Sequence, residues 1–224
     1  FKAWRDTEST QYTGGDGFSV FLYDGSVTKE NFRLGAYGGS LGYTRNSAVS
    51  PSVPNGLRGG YIGVGFDSYG GFGNNWEGKN GMLNNNNASI PSDFTGESTI
   101  PNTIVLRGAT NETTSSNSNR ILAYKKLGDR TESANAIRRR GELDYDILTA
   151  TRPTDELFYR KIKIEIKPVL DNGVRKYQIK IFMNKVKDAL YNSTAEITYV
   201  TEQVIPETLK IGSAASTGGS YNNH

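Results

Sequence analysis

"FYRKIKIEIKPVLDNGVRKYQIKIFMNK" (residues 158–185) holds two runs that alternate with a period of two. Ile162, Ile164 and Ile166 point one way, and Lys161, Lys163, Glu165 and Lys167 point the other. "DNG" at 171–173 is a strong turn signal, and "RKYQIKIFMNK" (175–185) alternates again. Period-two strands on either side of Asn-Gly predict a β-hairpin with one buried and one wet face.

Working outward, "GFSVFLYDG" (17–25) and "GYIGVGFD" (60–67) repeat the pattern, and "NTIVLRG" (102–108) reads as a short strand. "AEITYVTEQV" (195–204) and "ETLKIGSAAS" (207–216) complete the set. In "GYIGVGFD", Ile62, Val64 and Phe66 oppose Tyr61, Gly63 and Gly65, a face on which another backbone or a ligand can come close. Only "RTESANAIRRR" (130–140) predicts a helix, a short one, and the Gly/Asn/Ser stretches at 70–100 and 109–119 read as long loops. With 224 residues, 26 Gly, 13 Tyr and 35% hydrophobic residues, the expectation is all-β: one β-sandwich domain over 1–224.

Net charge is +3, and the basic residues at 159–187 alternate with apolar ones as on a solvated strand face. That pattern does not call for nucleic acid. The absence of cysteine excludes disulfides and thiolate metal sites. No apolar run approaches the ~18 residues of a membrane span, so no membrane insertion is expected. The chain opens inside a plausible strand and stops abruptly at "GGSYNNH", so it reads as a segment cut at both ends.

Asp67 closes a strand and opens a glycine- and asparagine-rich loop. Calcium takes six to eight oxygens in loose geometry, and Asp67, the Tyr69 carbonyl, and Asn74 or Asn75 offer several. The plainer alternative is that Asp67 caps a turn.

"GGDGFSVFLYDG" (14–25), "YGGSLGYT" (37–44), "GGYIGVGFDSYGGFGN" (59–74) and "ETLKIGSAASTGG" (207–219) occur in this order in the chain. Together they resemble the legume-type (L-type, concanavalin A-like) lectins, most closely the bacterial branch found in surface adhesins. The resemblance implies a jelly-roll β-sandwich of two antiparallel sheets with a sugar pocket built from loops at one end. It implies a non-catalytic, calcium-dependent carbohydrate-binding domain of a cell-surface or secreted adhesin, extracellular, facing a cell-surface or environmental glycan and joined to neighbouring domains. In that pattern Asp16 accepts hydrogen bonds from sugar hydroxyls, the Gly39 N–H meets the sugar, Tyr69 packs against it, and Gly219 and Ser220 tune specificity. Calcium is held by Asp67, the Tyr69 carbonyl and Asn74.

Two positions depart from the family. Gly65 stands where a Glu binds a transition metal, and "NTIVLRG" lacks the companion His, so no transition metal is expected and no ion beside Gly65. Gly71 stands where an Asn binds both calcium and sugar, leaving Asn74 or Asn75 to substitute.

"GELDYD" (141–146) resembles the catalytic strand of family-16 glycoside hydrolases, with Glu142, Asp144 and Asp146 on one strand face. The last acid is one methylene short, and Arg138–Arg140 offer those acids ion-pair partners. The expectation is therefore no enzyme. A non-sugar interaction or spacer module of a large adhesin is the alternative from a third class.

Overall fold

The structure is a computed structural model. It describes residues 4–5, 16–46, 56–74, 79, 102–110, 119–127, 143, 160–184, 194–201, 205–217 and 222–223. In chain order the strands are β1 (Trp4–Arg5), β2 (Asp16–Asp24), β3 (Gly60–Asp67), β4 (Thr103–Arg107), β5 (Ile121–Lys126), β6 (Lys161–Asp171), β7 (Val174–Asn184), β8 (Ile197–Val200), β9 (Leu209–Thr217) and β10 (Asn222–Asn223). A single 3-10 turn, Gly38–Ser40, lies between β2 and β3 among the described residues.

Five strands pair antiparallel in the order β5-β4-β3-β2-β9, three in the order β6-β7-β8, and β1 pairs with β10. The period of two explains how the larger sheets meet. Ile62, Val64 and Phe66 of β3, with Ile104 and Leu106 of β4, share one core with Ile179, Ile181 and Met183 of β7 and Ile197 of β8. Ile162, Ile164 and Ile166 of β6 pack against that core, partly buried. Each such side chain, fully buried, contributes about 1.5–3 kcal/mol, which makes the shared face the main source of stability. The molecule is thus an all-β sandwich. On the outer face of β6, Glu165 pairs with Lys163 at 2.9 Å and Lys167 at 3.5 Å, so part of the basic cluster is neutralised by its own strand.

The opposite face of the five-stranded sheet is covered by the chain's own connecting segments. Leu41, Tyr43, Leu57 and Phe72 pack there with Phe21, Val105 and Ile121. Glycines make room for them. A Cβ on Gly63 would stand 2.5 Å from the Tyr43 ring, and one on Gly65 2.2 Å from the Phe72 ring. Gly65 is bare because an aromatic ring fills the volume of its side chain, which corrects the expectation that a missing ion explains it. The close approach read from the alternating glycines is real, and the visitors are Tyr43 and Phe72.

The predicted strands appear within two or three residues of their expected bounds, apart from shorter ends at β8. β5 was not marked by any pattern, because "ILAYKK" has no clean alternation and follows a Ser/Asn-rich stretch. The predicted helix at 130–140 lies outside the described residues.

Candidate functional site

Register brings three chain segments to one end of the five-stranded sheet. Asp16 faces Thr217 across β2 and β9, and Gly17 faces Ser216 on one side and Asp67 on the other. The start of β2 and the ends of β3 and β9 therefore lie together.

Around Asp16 four groups converge. The Tyr69 N–H donates to the Asp16 carbonyl at 3.1 Å. The Ser216 hydroxyl donates to Asp16 Oδ2 at 2.9 Å. The side-chain position of Gly38 lies 4.0 Å from that same oxygen. Its neighbour Gly39 abuts Gly71, where a Cβ on either would come within 2.9 Å of the other's Cα. Any side chain at 71 would push the 38–40 turn away from the 68–74 loop. That contact gives a physical reason for glycine where the lectin pattern has Asn.

The cluster carries an acceptor, a hydroxyl and aromatic surface. Asp16 is nearly buried, whereas Tyr69 is 40% exposed and Tyr37, which precedes Gly38, is 66% exposed. Of the residues expected at a sugar site, Asp16, Gly39 and Tyr69 are brought together. Gly219 and Ser220 lie outside the described residues, as do Glu142, Asp144 and Asp146. Ser216 is an addition that β2–β9 register supplies.

Asp67 and Asn74 sit deeper. Asp67 has no exposed surface. Its Oδ1 accepts the Gly70 N–H at 2.8 Å and its Oδ2 the Gly73 N–H at 2.7 Å. Burial pushes its carboxyl up to about 7, opposed by the N–H groups of Gly73, Gly70 and Phe72 and by the charge of Lys79. Asn74 is buried, and its Oδ1 accepts from Lys79 Nζ at 3.4 Å.

The same loop turns its carbonyls to Arg107, which is fully buried at the end of β4. Arg107 Nε and Nη2 donate to the Phe72 carbonyl at 2.9 and 2.7 Å, and Nη2 also to the Asn74 carbonyl at 2.6 Å. Nη1 donates to the Asn119 carbonyl. The guanidinium lies 5.3 Å from the centre of the Phe72 ring. Burial lowers its pKa to about 9, against the opposing charge of Asp67.

Calcium has to be tested against this donor set. Both Asp67 oxygens are engaged by backbone N–H groups, the carbonyls of Phe72 and Asn74 by a guanidinium, and the Asn74 side-chain oxygen by an ammonium. An ammonium and a guanidinium thus already hold oxygens of this loop. As folded, these residues do not fit calcium.

Sequence reasoning passed over Arg107, Phe72 and Ser216. The one signal for Arg107 was a long basic residue ending an apolar strand, and its register partner, Gly63, is visible only once strands are paired.

No family model matches the chain, and neither a curated protein nor a solved structure is found similar to it.

Proposed function

We propose that the end of the sandwich around Asp16 binds carbohydrate, without covalent chemistry, in a bacterial cell-surface or secreted adhesin outside the cell. The observation that carries this reading is the meeting of Asp16, Gly39, Tyr69 and Ser216 from four segments far apart in sequence. A sugar presents hydroxyls on its edges and C–H groups on its faces. The Asp16 carboxylate accepts from the former, the Ser216 oxygen, whose proton goes to Asp16, can accept another, the Gly39 N–H is the expected donor, and an exposed tyrosine ring covers the latter. The motif resemblance to L-type lectins, and β2 flanked by the sequence-remote β3 and β9, support a concanavalin A-like jelly-roll arrangement. Single sites of this kind are shallow, so useful adhesion comes from many copies.

The test is a broad glycan array with the wild type, Asp16→Ala and Tyr69→Ala. We expect wild-type binding to a restricted glycan set, with Asp16→Ala and Tyr69→Ala each weakening it about tenfold or more while the melting temperature shifts little. Silence of a folded wild type across the array would move the reading to a protein-binding or spacer module. Turnover of a glycan would move it to catalysis.

A further inference from the structure

We infer that Arg107 is the resident cation of the 67–74 loop: an internal guanidinium performs the bracing for which calcium is used in the lectins this sequence resembles. The inference concerns how the loop is held and stands whether or not the loop faces a sugar.

The loop's polar groups divide between two buried side chains. Its N–H groups at Gly70 and Gly73 turn to the Asp67 carboxylate, and its carbonyls at Phe72 and Asn74 turn to Arg107. A buried backbone must satisfy both kinds of group, and here one buried carboxyl group and one buried guanidinium do so. The Asp67 carboxylate can match the N–H groups of Gly70 and Gly73 with or without a metal, so what distinguishes this arrangement is that a guanidinium holds the carbonyls of Phe72 and Asn74. The guanidinium also reaches what a small ion does not. Its fork spans the Phe72 and Asn74 carbonyls on one side and the Asn119 carbonyl on the other, tying the loop to the segment that leads into β5. Its charge lies over the Phe72 ring, 5.3 Å from its centre, and that ring fills the space above Gly65. Gly63, directly opposite Arg107 on β3, leaves its side-chain volume to the Tyr43 ring.

The same loop presents Tyr69, whose N–H holds the Asp16 carbonyl, and Gly71, which abuts Gly39. Arg107 is thus a positioning residue for the whole end of the sandwich.

The experiment has two arms and uses the intact chain. In the first, wild-type protein stripped with chelator is titrated with calcium chloride by calorimetry and melted with and without the ion. We expect no saturable heat at millimolar calcium and an unchanged melting temperature. Saturable binding with a rise of several degrees overturns the inference. In the second, Arg107→Ala and Arg107→Lys are melted in the presence of dilute guanidinium or dilute calcium. We expect both variants to melt at least about 5 °C lower, guanidinium to recover part of the loss in Arg107→Ala, and calcium to recover none. Rescue by calcium and not by guanidinium overturns the inference. If Arg107→Ala does not fold, the wild-type titration decides alone. Neither arm contains a glycan, so failure of the sugar reading leaves this result intact.

Discussion

Asp67 carries an unusual charge balance for an acid. Its folded pKa of about 7 lies above its ordinary 3.8, because burial costs the anion more than the loop N–H groups return. Between those values the unfolded chain has released the proton while the folded chain keeps it. The folded state then binds more protons, so this group's contribution is full below its ordinary pKa and is lost as pH rises toward 7. Denaturant midpoints across that interval should fall for wild type relative to Asp67→Asn, and parallel profiles would rule the account out. Gly65 gives a second test. Gly65→Ala sets a methyl against the Phe72 ring and should cost about 1–3 kcal/mol in chemical denaturation. Combined with Phe72→Ala, it should cost less than the sum of the two single changes, since the clash has gone. Sequence named Asp67 as the organiser of its loop and was right about its location. The plainer reading, a turn cap, foresaw backbone N–H partners, but which N–H groups turn to Asp67 depends on the loop's fold and on nothing written at positions 70 and 73.

The β6–β7 hairpin was the most legible element. Its eleven-residue strands pair without a break from Lys161↔Asn184 to Asp171↔Val174, around a turn whose Asn172 and Gly173 both have positive φ (49° and 79°). That is the two-residue turn whose twist suits a hairpin. A Cβ on Gly173 meets nothing within 4 Å, so Gly173→Ala isolates the backbone term. It should cost about 1–2 kcal/mol by denaturation and leave the glycan profile unaltered. A neutral result would mean that the turn does not fix the register. Strands such as β3, buried on every residue, were also found because β-branched and aromatic residues still alternate with glycine. β5 escaped, since an edge strand ending in Tyr124-Lys125-Lys126 packs one short apolar run and needs no strict alternation.

At the scale of the molecule, the two larger sheets divide the work. The β6-β7-β8 sheet closes the core from one side, while the other face of the five-stranded sheet carries the connecting segments that meet around Asp16. The all-β class was legible because alternation is a local property. The convergence on Asp16 was legible only through motif resemblance, as Ser216 lies 200 positions away. Closing a loop of that length costs about 5 kcal/mol of chain entropy before any contact is made. Pairing so non-local predicts slow refolding, in milliseconds to seconds, with the fluorescence change at the Asp16 end lagging the formation of the β6–β7 hairpin. Simultaneous appearance of both in stopped flow would show a single nucleus spanning the chain.

The β2–β9 pairing also bears on how the molecule is made. β2 leaves the ribosome early and waits for β9, at ordinary synthesis speeds of about 5–20 residues per second, for roughly ten to forty seconds. Through that wait its edge is open and Asp16 has no Ser216. A chain interrupted anywhere before β9 keeps that open edge and never assembles the cluster. The carbohydrate site proposed above would therefore form only on copies whose synthesis has passed β9.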